Sequence, residues 1–195
     1  MRNRPLTLVP GPSAPPDDAD VIQRIREGDS AAFEGLFWDQ YDPLVRYAYS
    51  FLHTHEESRD IVCDVFSAVW QSRHDWNPAG GIRAYLFGAV RNRCFNLMRD
   101  YKRRTELLQQ QHHDDLPLPG HIDTTVDDTL EREAQWVAVR RAIENMRGLR
   151  REAMRLRWIE QMGHAEIAVV MGISVNAVHL HLSLALKALR AQFGR

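Results

Sequence analysis

The sequence predicts an all-α fold: two small helical domains joined by a flexible acidic linker. Three observations carry that reading. Apolar residues recur at spacings of three and four through most of the 195 residues, with no period-two alternation to signal a strand. The pattern collapses over residues 105–129 into a polar, acidic, proline-containing stretch. Charge is also segregated. Lys and Arg against Asp and Glu number 6 to 12 over residues 1–71, 8 to 2 over 72–104, 1 to 8 over 105–135 and 10 to 4 over 136–195. The net charge of −1 thus conceals two basic blocks around an acidic one. Two basic blocks are two places where a polyanion can dock.

Composition bounds the class. Hydrophobic residues at 44% and charged residues at 26% are ordinary for a globular protein. No run of about 18 apolar residues exists, so a membrane span is not expected. Residues 1–19 hold Pro5, Pro10, Pro12, Pro15 and Pro16 but no apolar signal core. They are expected to form a disordered tail and not a secretory signal. Cys63 and Cys94 fall inside helical patterns, which predicts buried thiols in a reducing, cytoplasmic setting and no disulfide framework.

The first domain is expected over residues 20–104. Val21, Ile25, Phe33, Leu36, Phe37, Tyr41, Leu44, Tyr47, Ala48 and Phe51 place an aromatic-rich apolar stripe on helices, with an N-cap at Asp29-Ser30. A second helix is predicted from Glu56 to Arg73, burying Ile61, Val62, Val65, Phe66, Val69 and Trp70. The cluster from His74 to Gly81, with Pro78, Gly80 and Gly81, breaks the helical pattern. A third helix then runs from Ile82 to Arg104. In that helix arginines alternate with Tyr85, Phe87, Phe95 and Tyr101. Arginines hold phosphates while aromatic faces hold bases that have left the stack, a combination suited to single-stranded or melting DNA. A basic amphipathic helix can also lie on a membrane surface. Here the regular apolar face and the adjoining globular pattern favour a folded nucleic-acid domain. The preceding helix, with Asp60, Asp64, Phe66 and Trp70, reads equally as a docking surface for a basic partner helix or as plain core with solvated carboxylates.

The second domain, residues 130–195, is expected to hold helices over 130–146, 151–161, 164–171 and 174–193. Its strongest motif runs from His164 to Val178. Ala168 is small where two helices must cross, Gly172 suits a left-handed exit from the first, and Ser174 is a good cap for the second. Val175, Val178, Leu182, Ala185, Leu186 and Leu189 then form one apolar stripe. This is the pattern of a helix-turn-helix whose second helix reads the major groove. The bland alternative is a helical hairpin with a glycine turn. Asn176, His179, Ser183, Lys187 and Arg190 face outward, with chemistry suited to base edges and phosphates. Arg147, Arg150, Arg151, Arg155 and Arg157 ahead of it would add phosphate contacts.

Together these residues resemble the extracytoplasmic-function group of the sigma-70 family, over Asp20–Arg104 and Leu130–Arg195. Arg59-Asp60-Ile61-Val62-Cys63-Asp64-Val65-Phe66 resembles the family's polymerase-docking helix, with Cys63 where glutamine is usual. Arg83-Ala84-Tyr85-Leu86-Phe87 and Ala89-Val90-Arg91-Asn92 resemble its −10 recognition helix, with Asn96 in place of a frequent aspartate. The resemblance implies core-polymerase contacts at Asp60, Ile61, Asp64, Val65 and Phe66. It implies −10 DNA contacts at Trp76, Asn77, Arg83, Tyr85, Arg91, Asn92, Asn96 and Arg99. It implies −35 DNA contacts at Ser174, Asn176, Ala177, His179, Leu180, Ser183 and Lys187. Core RNA polymerase, promoter DNA and an anti-sigma factor are the implied partners, with strand opening driven by capture of an extruded base. The acidic linker would run through the polymerase toward its active-site and RNA-exit channels. Several residues depart from the pattern. Gly163 stands where a Ser or Thr cap is usual, and Met146-Arg147-Gly148 replaces a Leu-Pro type turn. Leu180 and Leu184 stand where polar or basic residues are frequent, leaving open whether recognition uses fewer direct contacts or these leucines meet a protein.

Competing readings fare less well. His53-Thr54-His55-Glu56 and His112-His113-Asp114-Asp115 lack ligand spacing from a rigid element, so no metal or other cofactor is expected. Neither cysteine has a catalytic motif around it, and no catalytic residues are expected. A stand-alone helix-turn-helix regulator would explain the second domain but leave the first without a role.

Overall fold

The computed structural model describes residues 16–109, 141–146 and 148–193, and no strand occurs among them. Among the described residues the α-helices are, in order, α1 Pro16–Arg26, α2 Ser30–Leu52, α3 His55–Gln71, α4 Ile82–Gln109, α5 Leu149–Met154, α6 His164–Met171 and α7 Val175–Phe193. A 3₁₀ turn at Arg73–Asp75 leads out of α3, and a π turn at Arg155–Ile159 extends α5. Residues 141–144 are also helical. The chain divides into two units, Met1–Met98 and Arg99–Arg195. The division falls inside α4, and residues 99–104 there are all exposed.

In the first unit, Asp29 caps α2 by accepting from the N–H groups of Ala31 and Ala32 at 2.9 and 3.0 Å. The Ala32 N–H and then the Arg24 guanidinium hold its carboxyl below the usual range. Ile22 and Ile25 of α1, Leu44 and Tyr47 of α2, Val62, Val65 and Val69 of α3, and Leu86, Phe87, Val90 and Cys94 of α4 are buried. Aromatic pairs tie the helices together. Tyr47 packs on Phe87 at 5.0 Å between ring centroids, Phe51 on Phe95 at 5.4 Å, and Phe66 edge-on to Phe33 and Phe37 at 5.9 and 4.9 Å.

Several expectations are corrected. The helical chain begins at Pro16, inside the expected tail, because proline at the first helical position followed by Asp17-Asp18 is a helix start. Asp18 then does structural work, its Oδ2 accepting from the Ile82 N–H at 2.8 Å at the start of α4. At its other end, α4 continues to Gln109, five residues past its expected end at Arg104. Residues 110–140, which hold the rest of that linker and most of the helix expected over 130–146, lie outside the described residues. Cys63 is exposed on α3, whereas Cys94 is buried as expected, its thiol pushed up to about 12 by desolvation.

In the second unit, Ala153, Met154, Leu156 and Met162 form a core with Ile167, Val170 and Met171 of α6 and Val178, Leu182, Ala185 and Leu189 of α7. The first residue of α7, Val175, is exposed, and Leu186 is half-buried, so the apolar stripe is narrower than its sequence pattern suggests.

Candidate nucleic-acid interface

The turn between α6 and α7 is built as its residues require. Gly172 adopts φ +65°, the left-handed conformation that costs glycine least, and the Ile173 N–H returns to the Ala168 carbonyl at 3.1 Å. Ser174 Oγ accepts from the Ala177 N–H at 3.2 Å and so caps α7. The two helices turn through 102°, within the range of a helix-turn-helix. At the start of α6, Gly163 offers no side-chain oxygen. Instead the Glu166 carboxylate accepts from the Gly163 N–H at 2.7 Å, keeping half of a capping box.

At about 100° per residue, Asn176, Leu180, Ser183 and Lys187 line one stripe of α7, opposite the buried one. All four are exposed, as are Ser174 and His179, while Ala177 is half-buried at the edge. The His179 ring sits edge-on against His164 of α6 at 4.1 Å between centroids, a pairing that no sequence spacing announced. Partial burial, then the His179 and Arg157 charges, hold the His164 imidazole below its usual value. Of the arginines expected to meet phosphate, two are engaged internally. Arg155 pairs with Glu144 at 2.6 Å, and Arg157 donates to the Met162 carbonyl at 2.9 Å. Arg150 is exposed and Arg151 half-buried, while Arg147 lies outside the described residues.

On α4 the same construction places Tyr85, Asn92, Asn96 and Arg99 on one stripe, about 150° from the buried line of Leu86, Val90 and Cys94. Asn92, Asn96 and Arg99 are exposed, and Tyr85 is half-buried against Trp76 at 5.9 Å. Arg91 is half-buried about 110° around the helix from this stripe, with its guanidinium over the Phe95 ring at 4.6 Å. Arg83 does not join it: the helical register turns it to the far side, over Phe87 at 5.5 Å. Trp76, expected at the DNA, is 3% exposed, and its carbonyl accepts from Arg26 Nε at 2.8 Å. It anchors the loop before α4, leaving neighbouring Asn77 exposed. The missed participants are therefore Asp18 and Arg26, which fix this loop from α1. The signal that could have found Asp18 is the Pro-Asp-Asp helix start.

On α3, Asp60, Cys63, Asp64 and Ser67 share the outer face. Ile61, Val65 and Phe66, expected as partner contacts, are buried beneath it. Their side chains pack the domain's own core. Asp64 is not isolated, since Arg93 of α4 meets its carboxylate at 3.2 Å.

Each of the two helical units presents an exposed helix face with polar and basic residues, the class of surface that meets nucleic acid. Comparison with known proteins specifies the class. The family described as Sigma-70 region 2 matches residues 37–104, and Sigma-70, region 4 matches residues 136–189. RNA polymerase sigma factor CnrH of Cupriavidus metallidurans is 30% identical over 168 residues, covering 84% of this chain and 88% of CnrH. ECF RNA polymerase sigma factor RpoE of Cereibacter sphaeroides is 23% identical over 173 residues, covering 87% and 91%. Two solved structures share the fold. CnrH in complex with the cytosolic domain of CnrY matches with a TM-score of 0.61 at 24% identity, covering 91% of this chain and 97% of that one. RpoE in complex with the anti-sigma factor NepR from Bartonella quintana matches at 0.59 and 19%, covering 84% and 98%.

The chain belongs to the sigma-70 family, in its extracytoplasmic-function group. It is a sigma factor that directs RNA polymerase to promoters, which sets aside the stand-alone regulator. No single helix among the described residues is long and apolar enough to cross a membrane.

Proposed function

We propose that this sigma factor selects a promoter subset by reading the −35 element with α7 and opening the −10 element with α4. The observation that carries the opening role is the stripe of Tyr85, Asn92, Asn96 and Arg99, set opposite the buried face of a helix dense in arginine. Asparagine side chains hydrogen-bond exposed base edges, Arg99 and the basic end of α4 hold phosphates, and aromatic rings receive an unstacked base. Asn77, in the loop anchored by the buried Trp76, lies just ahead of that helix. Capture of an extruded base offsets part of the unstacking cost of a few kcal/mol. RNA synthesis stays with the polymerase, and this chain contributes position and strand separation without catalysis of its own.

The docking face is the outer edge of α3, through Asp60 and Asp64, supported from below by Ile61, Val65 and Phe66. The docking and −10 domain takes in α1 to α4, from Pro16 to Gln109, and the −35 domain lies within residues 130–195. CnrH is solved with the cytosolic domain of CnrY and the Bartonella quintana RpoE with the anti-sigma factor NepR, and an anti-sigma factor is proposed here by likeness. The place of action is the cytoplasm, where the polymerase works.

The test is transcription from genomic fragments by core polymerase with and without this chain. Start sites that core alone ignores are expected. Arg91→Ala with Asn92→Ala should abolish strand opening, read by permanganate reactivity of unpaired thymines, and leave core association intact. Opening that survives the double change removes α4 from this role.

A further inference from the structure

We infer that Leu180 reads the 5-methyl group of a thymine in the −35 element, an inference that rests on α7 being the −35 reading helix. Leu180 is 57% exposed, so the fold does not need its side chain as core. Its position is what gives it meaning. At about 100° per residue it lies roughly 170° around α7 from the centre of the buried line Val178, Leu182, Ala185 and Leu189. No residue in the reading stripe stands farther from the core, and only Lys187, within about 20° of its angle, stands as far. A helix that enters the groove with this stripe foremost must bring Leu180 to the base edges together with Asn176 and Ser183.

Major-groove edges are donors and acceptors throughout, apart from the methyl group at C5 of thymine. A leucine held there amid polar neighbours strips water from whatever it meets. Against an amide or carbonyl edge that removes hydration and returns nothing, whereas against a methyl group it buries apolar surface on both sides. Leu184, half-buried and one turn further along, extends the apolar ledge toward the domain core. Asn176, one turn before Leu180, can pair with the N6 and N7 edge of adenine. Four residues of helix rise about 6 Å, so the two residues address base pairs at most about two steps apart. The pair therefore favours a promoter segment in which an adenine and a thymine lie within that spacing.

The experiment uses holoenzyme assembled from core polymerase and the full chain, on promoter fragments it selects from genomic DNA. Each thymine of the −35 segment is replaced singly by deoxyuridine, which removes only the methyl group. One replacement should weaken holoenzyme binding about fourfold, the value of one buried methyl-sized group. That position should lie within about two base pairs of the one where Asn176→Ala relaxes base preference. Leu180→Ala, checked for an unchanged thermal melt, should bind thymine and deoxyuridine promoters equally.

If every deoxyuridine is tolerated, or the penalty persists in Leu180→Ala, the inference is overturned. It is equally overturned if Leu180→Ala spares promoter discrimination and abolishes binding of an anti-sigma factor. Asn176→Ala and Lys187→Ala separate this outcome from a wrong assignment of α7. If neither weakens promoter binding, α7 does not read the −35 element. If both do while deoxyuridine is silent, only the role of Leu180 fails.

Discussion

Replacing Phe66 and Asp64 by alanine, one at a time, separates core packing from the proposed docking role on opposite faces of one turn of α3. Phe66 is 2% exposed and sits edge-on to Phe33 and Phe37. Deleting a buried phenylalanine ring costs about 3–5 kcal/mol, a large share of the roughly 5–15 kcal/mol that holds a domain together. At about 4 °C or more per kcal/mol, the melting temperature should fall by at least about 12 °C. Asp64 has the opposite profile. Its ion pair with Arg93 spans 3.2 Å between side chains that are 67% and 40% exposed, so solvent screens it heavily. Its loss should cost below about 1 kcal/mol of stability. As a docking carboxylate it should cost about 2 kcal/mol of core affinity, roughly thirtyfold.

The assay is titration of labelled sigma variants with core polymerase well below their melting temperatures, beside thermal unfolding followed by circular dichroism. Asp64→Ala should melt nearly as the parent does and bind core weakly. Phe66→Ala should melt early, yet in its folded fraction bind core within about twofold of the parent. A Phe66→Ala protein that melts normally and fails to bind would refute the burial argument. An Asp64→Ala protein that binds core normally would remove the acidic face of α3 from docking.

Three other outcomes follow from the structure. A maleimide should label Cys63 in the native chain within minutes and leave Cys94 untouched until denaturant is added, because one thiol is exposed and the other is buried with its ionisation suppressed; native labelling of both, counted by mass spectrometry, would contradict this. Gly172→Ala should destabilise the second unit by about 1–2 kcal/mol in urea unfolding, the cost of a left-handed backbone for an L-residue. Its Cβ would meet nothing within 4 Å, so no steric term should add to that cost. His164 has a value lowered from 6.5, so the neutral ring is the form the fold favours. Its contribution to stability is present above pH 6.5 and is lost as pH falls through the lowered folded value. His164→Gln should therefore flatten the decline in stability seen on acidification, measured as urea midpoints across that interval.

The all-α class and the helix-turn-helix were legible in sequence because each rests on local chemistry. A period of three and four fixes a helix, and a left-handed glycine followed by a serine cap fixes a turn. Asp29, Gly172 and Ser174 all perform as their residue types dictate. The resemblance carried further, joining the docking and −10 segments that periodicity alone left as two basic or acidic helices.

What sequence could not divide was the two faces of a helix that is apolar on one side and functional on the other. Ile61, Val65 and Phe66 stand beside Asp60 and Asp64 in one motif, yet the first three are core and only the carboxylates face outward. Trp76 and Asn77 part in the same way, one anchoring a loop and the other exposed. The closing of α4 by Asp18, the settling of Arg26 on the Trp76 carbonyl and the meeting of His164 with His179 joined residues far apart in the chain. Local chemistry determined which helices and turns exist. Only packing decided which side of each helix remained free for DNA or polymerase, since burial depends on neighbours that chain order does not specify.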